Sequence, residues 1–254
     1  MIKVTSTPNN LGARVSGDMG DFLKLYDALH AIVGEEGEYK RHGCACIRTL
    51  GFCYDLRHAL QGDREFEFAE NRMDENRPLP GGMIAPKMNL RMAFDTLWPE
   101  MIFVMMAIND LVTLYAGKLT KEKIMFMNDK ALIWNRQIAA ARDFQAEVVE
   151  CLRNMVSKQG FSKIMNAAVR GYGTQLDDYI RQYLDLLNAR FAAMGKEERL
   201  KKLPHIAKLM ATTGVDNRDY NDVKRSVLKA AEENGCYHGD LNLQGTDIDD
   251  DIPW

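Results

Sequence analysis

The residues most able to do chemistry lie together between positions 54 and 65. Arg57 and His58 stand at the end of a predicted helix, and Asp63 and Arg64 follow the next turn. An imidazole can act as a general base near neutral pH, and a guanidinium can bind a phosphate through two hydrogen bonds. This polar boundary therefore predicts an enzyme site for a phosphate-bearing substrate. The alternative is a solvated helix end, where His and Arg complement the helix dipole.

Four potential metal ligands lie within twelve positions of one another: His42, Cys44, Cys46 and Cys53. Zinc binds thiolate and imidazole ligands in a tetrahedron, and two cysteines separated by two residues on a turn form the usual pair. Cys44 and Cys46 are separated by one residue inside a predicted helix, so their side chains point in different directions. We therefore expect small buried thiols, with no zinc, no disulfide and no cofactor.

Asp110 is a further candidate because it interrupts an apolar segment. Residues 101–116 are apolar on nearly every side of a predicted helix, and Asn109 precedes Asp110. A carboxylate in such surroundings must be hydrogen-bonded, paired or neutralised. Facing a cleft, it would be a catalytic candidate, and a pocket shared with His58 would favour an enzyme. The alternative is a structural partner, since most buried polar groups are simply hydrogen-bonded.

Residues 204–234 predict two helices around a glycine turn, the order found in helix-turn-helix DNA-binding motifs. Five basic residues accompany this pattern: Lys208, Arg218, Lys224, Arg225 and Lys229. Five acidic residues of the same segment offset them. A DNA-binding regulator is therefore an alternative function, and nucleic acid is not the favoured partner.

The final segment, 236–254, is acidic and is called the tail below. It carries five aspartates and neither lysine nor arginine, so we expect it to be flexible. Basic residues that could attract it lie upstream: Lys196, Arg199, Lys201, Lys202 and Lys208. An exposed ion pair contributes only about 0–1 kcal/mol, so burial of Trp254 in an apolar slot would be needed to fix the tail.

Periodicity indicates an α+β fold. Apolar residues alternate with polar ones near residues 2–4, 13–17, 65–68 and 88–94, which predicts four strands of a small antiparallel sheet. Helical spacing predicts helices over 22–33, with Asp21 as N-cap, and over 41–61, 97–116, 141–156, 176–191, 204–212 and 219–234. The predicted regions are a sheet-containing region 1–95, a helical region 96–235 packed on it, and the tail. Four residues should be almost fully buried: Phe103, Leu111, Leu184 and Leu187.

Composition excludes several classes of protein. Hydrophobic residues make up 46% of the 254 residues and charged residues 27%, values that are typical of a folded globular chain. The net charge of −3 argues against a protein built to coat nucleic acid. The longest apolar run, Met101–Ile108, is too short for a membrane span, and the first residues lack a secretory pattern. We expect a cytoplasmic protein that does not bind membranes.

Three segments resemble a bacterial family of unknown function: TPNNLGARVSGDMGDFLKLYDALHAIVG, LGFCYDLRHALQGDRE and LWPEMIFVMMAINDLV. The resemblance covers about the first half of the chain. It implies a bacterial cytosolic protein and supplies no activity, cofactor or catalytic residue.

The leading functional hypothesis is a non-catalytic binding or assembly protein that self-associates or joins a larger complex. The sequence lacks the glycine-rich phosphate loop of nucleotide-binding proteins, the Gly-x-Ser-x-Gly motif of hydrolases and the HExxH motif of zinc proteases. Its 15 methionines supply adaptable apolar surface. A large exposed apolar patch would support this hypothesis over the enzyme and the DNA-binding regulator.

Overall fold

The structure is a computed structural model that describes residues 1–71, 87–120, 129–169, 180–212, 217–248 and 252–254. Its strands are β1 (Lys3–Ser6), β2 (Gly12–Gly17), β3 (Glu65–Glu70) and β4 (Met88–Leu97). Its helices are α1 (Met19–Val33), α2 (Gly43–Gln61), α3 (Trp98–Leu119), α4 (Lys130–Ile133), α5 (Arg136–Met155), α6 (Lys158–Val169), α7 (Ile180–Ala192), α8 (Lys196–Ala211) and α9 (Arg218–Asn234). The predicted α+β class is confirmed.

The four strands form one antiparallel sheet in the order β1-β2-β4-β3. Val4 lies opposite Val15, and Val15 lies opposite Phe94, so these side chains share one face. On that face the Phe94 ring contacts the rings of Phe22 of α1 and Phe52 of α2, at centroid distances of 5.9 and 5.3 Å. The alternation of strand side chains thus places the apolar face against the helices.

The start of α1 differs from the prediction. The N-cap is Asp18, whose carboxylate accepts a hydrogen bond from the Asp21 amide at 2.8 Å. The Asp21 carboxylate accepts one in return from the Asp18 amide at 3.1 Å. Asp21 is therefore the third helical residue of a capping box, because two carboxylates three residues apart can each satisfy an otherwise unpaired N–H.

Helix α3 occupies the centre of the core, as its apolar sequence predicts. It contacts α1, α2 and the sheet as well as α5, α6, α7 and α8. Phe103, Leu111, Leu184 and Leu187 are all between 0 and 2% exposed, which confirms the predicted core. Among the described helices, α3 alone has the length and apolar composition of a membrane span, and most of it is buried within the protein.

The described parts of the tail lie on the folded core. The Gln182 side chain of α7 donates hydrogen bonds to the carbonyls of His238 and Leu241, at 3.0 and 2.8 Å. The Trp254 ring packs directly against Gly12, so closely that a Cβ atom on Gly12 would lie 2.7 Å from the ring. The Asn9 side chain donates a hydrogen bond to the Trp254 carbonyl at 3.1 Å. The Trp254 ring thus packs against the core beside the turn between β1 and β2.

Arg199 does not have the role that the sequence suggested. Its buried guanidinium donates to the carbonyls of Phe191 and Ala192 at the end of α7, and to that of Asn9, at distances of 2.7–3.3 Å. It caps α7 because the last carbonyls of a helix lack intrahelical donors. Arg199 therefore joins α7 and α8 to the β1–β2 turn.

Candidate functional site

The polar boundary lies on the surface where α2 ends and β3 begins. The His58 Nδ1 atom is 3.0 Å from the Asp63 carboxylate, and the His58 ring lies 4.1 Å from the Tyr54 ring. The Arg57 guanidinium covers the same Tyr54 ring at 5.1 Å. These side chains therefore contact one another along the exposed side of α2.

Arg64 turns to a different partner. Its guanidinium donates to the Asp55 carboxylate at 2.7 Å, which links the start of β3 to α2. The cavity described below, between α6 and α8, contains none of the polar-boundary residues. The geometry gives each charged group a local partner, and the catalytic role of Arg57, His58, Asp63 and Arg64 stays a prediction.

The cysteines of the predicted metal candidates are mostly buried in α2. Burial raises the pKa of the Cys44 and Cys53 thiols to about 12 and also raises the pKa of Cys46. Burial and the nearby Arg41 lower the pKa of His42. A metal would have to displace protons from these thiols, which weakens binding. All five cysteines are free, and the described residues contain no group of three potential metal ligands.

Asp110 is half-buried on α3. Burial raises the pKa of its carboxyl to about 6, and its Oδ2 atom has no hydrogen-bond partner in the described part of the chain. The preceding Asn109 is well satisfied, since it accepts from Gln145 at 3.2 Å and donates to the Ala168 carbonyl at 3.2 Å. Asp110 and His58 do not meet in the α6–α8 cavity.

A charged network that the sequence analysis missed joins α2, α3 and α7. The Arg48 guanidinium donates to Glu100 at 3.3 Å, to Asp185 at 2.5 Å and to the Arg181 carbonyl at 3.0 Å. Asn188 donates to the same Glu100 carboxylate at 2.9 Å. Burial raises the pKa of Glu100 although Arg48 and Asn188 oppose the rise. This Arg48 network fixes three helices that are distant in sequence.

Several atoms around the Arg48 network are buried without a partner in the described structure: Arg48 Nε, Gln182 Oε1 and Asn188 Oδ1. The sequence holds one signal for this network. Three polar residues, Gln182, Asp185 and Asn188, lie within two turns among the apolar residues of α7. Gln182 also holds the tail, so the network and the tail share one helix.

Beyond the end of β2, the sheet continues as a ribbon of two strands, β3 and β4. β4 pairs with β2 only from Met92 to Leu97, whereas it pairs with β3 from Met88 to Ala93. Residues 67–70 and 88–91 therefore extend beyond the end of β2, and they form what is called the ribbon below. A two-stranded hairpin is at best marginally stable in water without further packing.

One face of the ribbon and its base is apolar and exposed. Phe66 lies opposite Met92, and Phe68 lies opposite Leu90, so these side chains share the face that elsewhere packs under the helices. The exposed fractions are 49% for Phe66, 70% for Phe68, 53% for Leu90 and 42% for Met88. An exposed apolar surface of this kind on a folded protein commonly marks an interaction site.

The predicted DNA-binding segment, 204–234, contains the second half of α8 and all of α9, and the residues of its turn at 213–216 lie outside the described residues. The prediction that its first helix starts near residue 204 was wrong, because α8 begins at Lys196 and contains Pro204. On α9, Arg225 pairs with Asp222, and Lys229 lies 3.7 Å from Glu233. Asp219 pairs with Arg190 of α7 at 2.6 Å. The charges of α9 are thus mixed in sign, and DNA binding stays a prediction.

Comparison with known proteins gives a family without an assigned activity. The chain matches the family model for the domain of unknown function DUF6904 over residues 2–254. The family thus extends over the whole chain, and the prediction that it covers only the first half was wrong. No curated protein and no solved structure matches the chain. The chain belongs to the DUF6904 family.

Proposed function

We propose that this chain is a non-catalytic assembly protein of the bacterial cytosol, and that two copies associate through their ribbons. The observation that carries the proposal is the exposed apolar face formed by Phe66, Phe68, Met88 and Leu90. The same face of the sheet is covered by helices where β2 and β4 pair. A second copy would supply the missing cover for the ribbon.

The size of this face suits a dimer of moderate affinity. A large aromatic side chain has about 150–250 Å² of surface, so four side chains exposed by about half present roughly 400 Å². Two copies would bury roughly 800 Å², worth about 20 kcal/mol at 25 cal/mol per Å² before costs. Association and side-chain ordering cost about 4–15 kcal/mol or more. A cost of about 12 kcal/mol, within this range, leaves about 8 kcal/mol, which corresponds to a dissociation constant on the order of micromolar.

Charge favours face-to-face packing of two ribbons. Glu65 and Glu67 point to the opposite face, where both lie within 3.6 Å of the Arg14 guanidinium. On the apolar face, β3 has one acidic residue, Glu70, which lies at the outer end of the strand. Edge-to-edge pairing of two β3 strands would instead bring their glutamates together, and like charges directly opposite are destabilising.

Sedimentation velocity over about a hundredfold range of protein concentration tests the proposal. We expect a monomer–dimer equilibrium that the Phe68→Lys substitution shifts to monomer, because a charge would be buried at the centre of the interface. Trp134→Lys is the matched control, since Trp134 is an aromatic residue 76% exposed far along the chain in sequence. A monomer at all concentrations, or equal loss of the dimer in both variants, would contradict the proposal.

A further inference from the structure

A large cavity opens between α6 and α8. Its volume is about 920 Å³, within the usual range for small-molecule sites. The end of α5 closes one side through Met155 and Val156. Gly160 allows the two helices to approach, because a side chain there would stand 3.1 Å from the Pro204 ring. The close contact at Gly160 and Pro204 sets the floor of the cavity.

The charge around the cavity is positive and unpaired. Three lysines line it, Lys163 from α6 and Lys201 and Lys208 from α8, together with one acid, Glu197. None of the three ammonium groups has an ion-pair partner in the described part of the chain, whereas Lys118 and Lys229 each pair with a glutamate. Three ammonium groups around one cavity repel one another, and a bound anion would relieve that repulsion.

The start of α6 adds further anion-binding groups. Ser157 and Gln159 line the cavity, and the Ser157 hydroxyl accepts the Gly160 amide at 3.1 Å. The first amides of a helix have no intrahelical acceptors and carry the positive end of the helix dipole. Because Ser157, Gln159 and Gly160 line the cavity, the positive end of the α6 dipole lies at the same cavity as the lysines, which favours a phosphate group.

Apolar surface completes the lining. Met155, Val156, Leu200 and Pro204 contribute aliphatic side chains beside the lysines. A bare phosphate ion would fill only a small part of about 920 Å³. The lining therefore suits a molecule with a phosphate group at one end and a less polar body at the other.

We propose that the α6–α8 cavity binds a phosphate-bearing small molecule of about mononucleotide size. Lys163, Lys201 and Lys208 hold the phosphate with the first turn of α6, and the apolar wall of Leu200 and Pro204 holds the body. This site is separate from the ribbon, so ligand binding and self-association are tested independently.

Isothermal titration of the full chain at low salt, with pyrophosphate, AMP and citrate as probes, tests the site. We expect AMP to bind, and to bind more tightly than citrate, because AMP carries both a phosphate and a less polar body. The double substitution Lys201→Gln/Lys208→Gln should raise its dissociation constant at least about tenfold, since both counter-charges are lost. Lys202→Gln is the control, because Lys202 is an exposed lysine of the same helix that does not line the cavity. It should change the constant less than about twofold.

Three results would overturn the proposal. They are the absence of AMP binding at millimolar concentration, whether or not pyrophosphate binds, citrate binding as tightly as AMP, and equal weakening by Lys202→Gln. Circular dichroism of each variant confirms that the helices are intact. A loss of binding in the double variant with an unchanged spectrum and an unchanged control supports the site.

Discussion

Removing the cation of the Arg48 network should destabilise the protein in a pH-dependent way. In the Arg48→Met variant, Glu100 and Asp185 lose their shared guanidinium, while the apolar stem of the side chain is retained. Breaking a buried ion pair by removing one partner costs about 3–5 kcal/mol. Arg48 and Glu100 are each 18% exposed, so solvent lowers the expected cost to about 3 kcal/mol at pH 7.5.

The sign of the pH dependence follows from Glu100. Burial raises its pKa in the folded state, so the folded protein binds this proton more readily than the unfolded chain. Ionisation of Glu100 therefore lowers the free energy of unfolding as the pH rises above about 4.3, the pKa of a glutamate carboxyl in the unfolded chain. At pH 4 the carboxyl is mostly protonated in both states and needs little counter-charge. We expect Arg48→Met to cost about 1 kcal/mol there, through the lost contacts with Asp185 and the Arg181 carbonyl.

Urea unfolding at pH 4 and pH 7.5, followed by circular dichroism, measures both values. Arg153→Met is the control, because Arg153 and its partner Glu150 are more than half exposed and should contribute less than about 0.5 kcal/mol. Adding Glu100→Gln to Arg48→Met should recover about 1–2 kcal/mol at pH 7.5, since the orphaned charge is removed. A cost below about 1 kcal/mol at pH 7.5, or the same cost at both pH values, would refute this account of the network.

Four shorter predictions use other features. Gly12→Ala should lower the free energy of unfolding by about 3 kcal/mol or prevent folding, because the new Cβ would lie 2.2 Å from a β4 carbonyl oxygen. Gly51→Ala should raise it by about 0.4–1 kcal/mol, since the site is helical and open; urea melts of both variants check this. Asp110→Asn should stabilise the protein by about 1 kcal/mol at pH 8 and should have no such effect at pH 4. Burial raises the pKa of Asp110 to about 6, so the folded state loses stability as the carboxyl loses its proton above that pH. Urea melts at the two pH values measure the difference. Exposed Cys236 should react with Ellman's reagent in the native protein much faster than the two buried thiols of α2, and simultaneous reaction of all thiols would contradict their burial.

Local patterns predict most of the secondary structure because they reflect burial directly. The alternation at Phe66 and Phe68 predicts β3, and the apolar run around Phe103 predicts the central helix. Boundaries depend on single side chains and are harder to predict. The capping box of Asp18 and Asp21 shifts the start of α1, and α6 has no separate prediction because it follows α5 after a short break.

The candidate sites depend on contacts between distant residues, which one sequence does not show. Nothing local to Arg48 indicates Asp185, which is 137 residues away. Nothing in β4 indicates that β2 ends opposite Met92, and this register is what leaves the ribbon uncovered. The three lysines of the α6–α8 cavity likewise meet only because α6 packs along α8.

The contact between Asn9 and Trp254 has a consequence for synthesis in the cell. Its partners are 245 residues apart, and the Trp254 ring lies against Gly12 of β2. At about 5–20 residues per second, a ribosome needs roughly 10–50 s to reach Trp254 after making the first hairpin. During that time the surface beside Gly12 lacks the Trp254 ring that covers it in the folded protein. The β1–β2 hairpin therefore completes its packing only after Trp254 has been made, so slow translation between the two segments lengthens this interval.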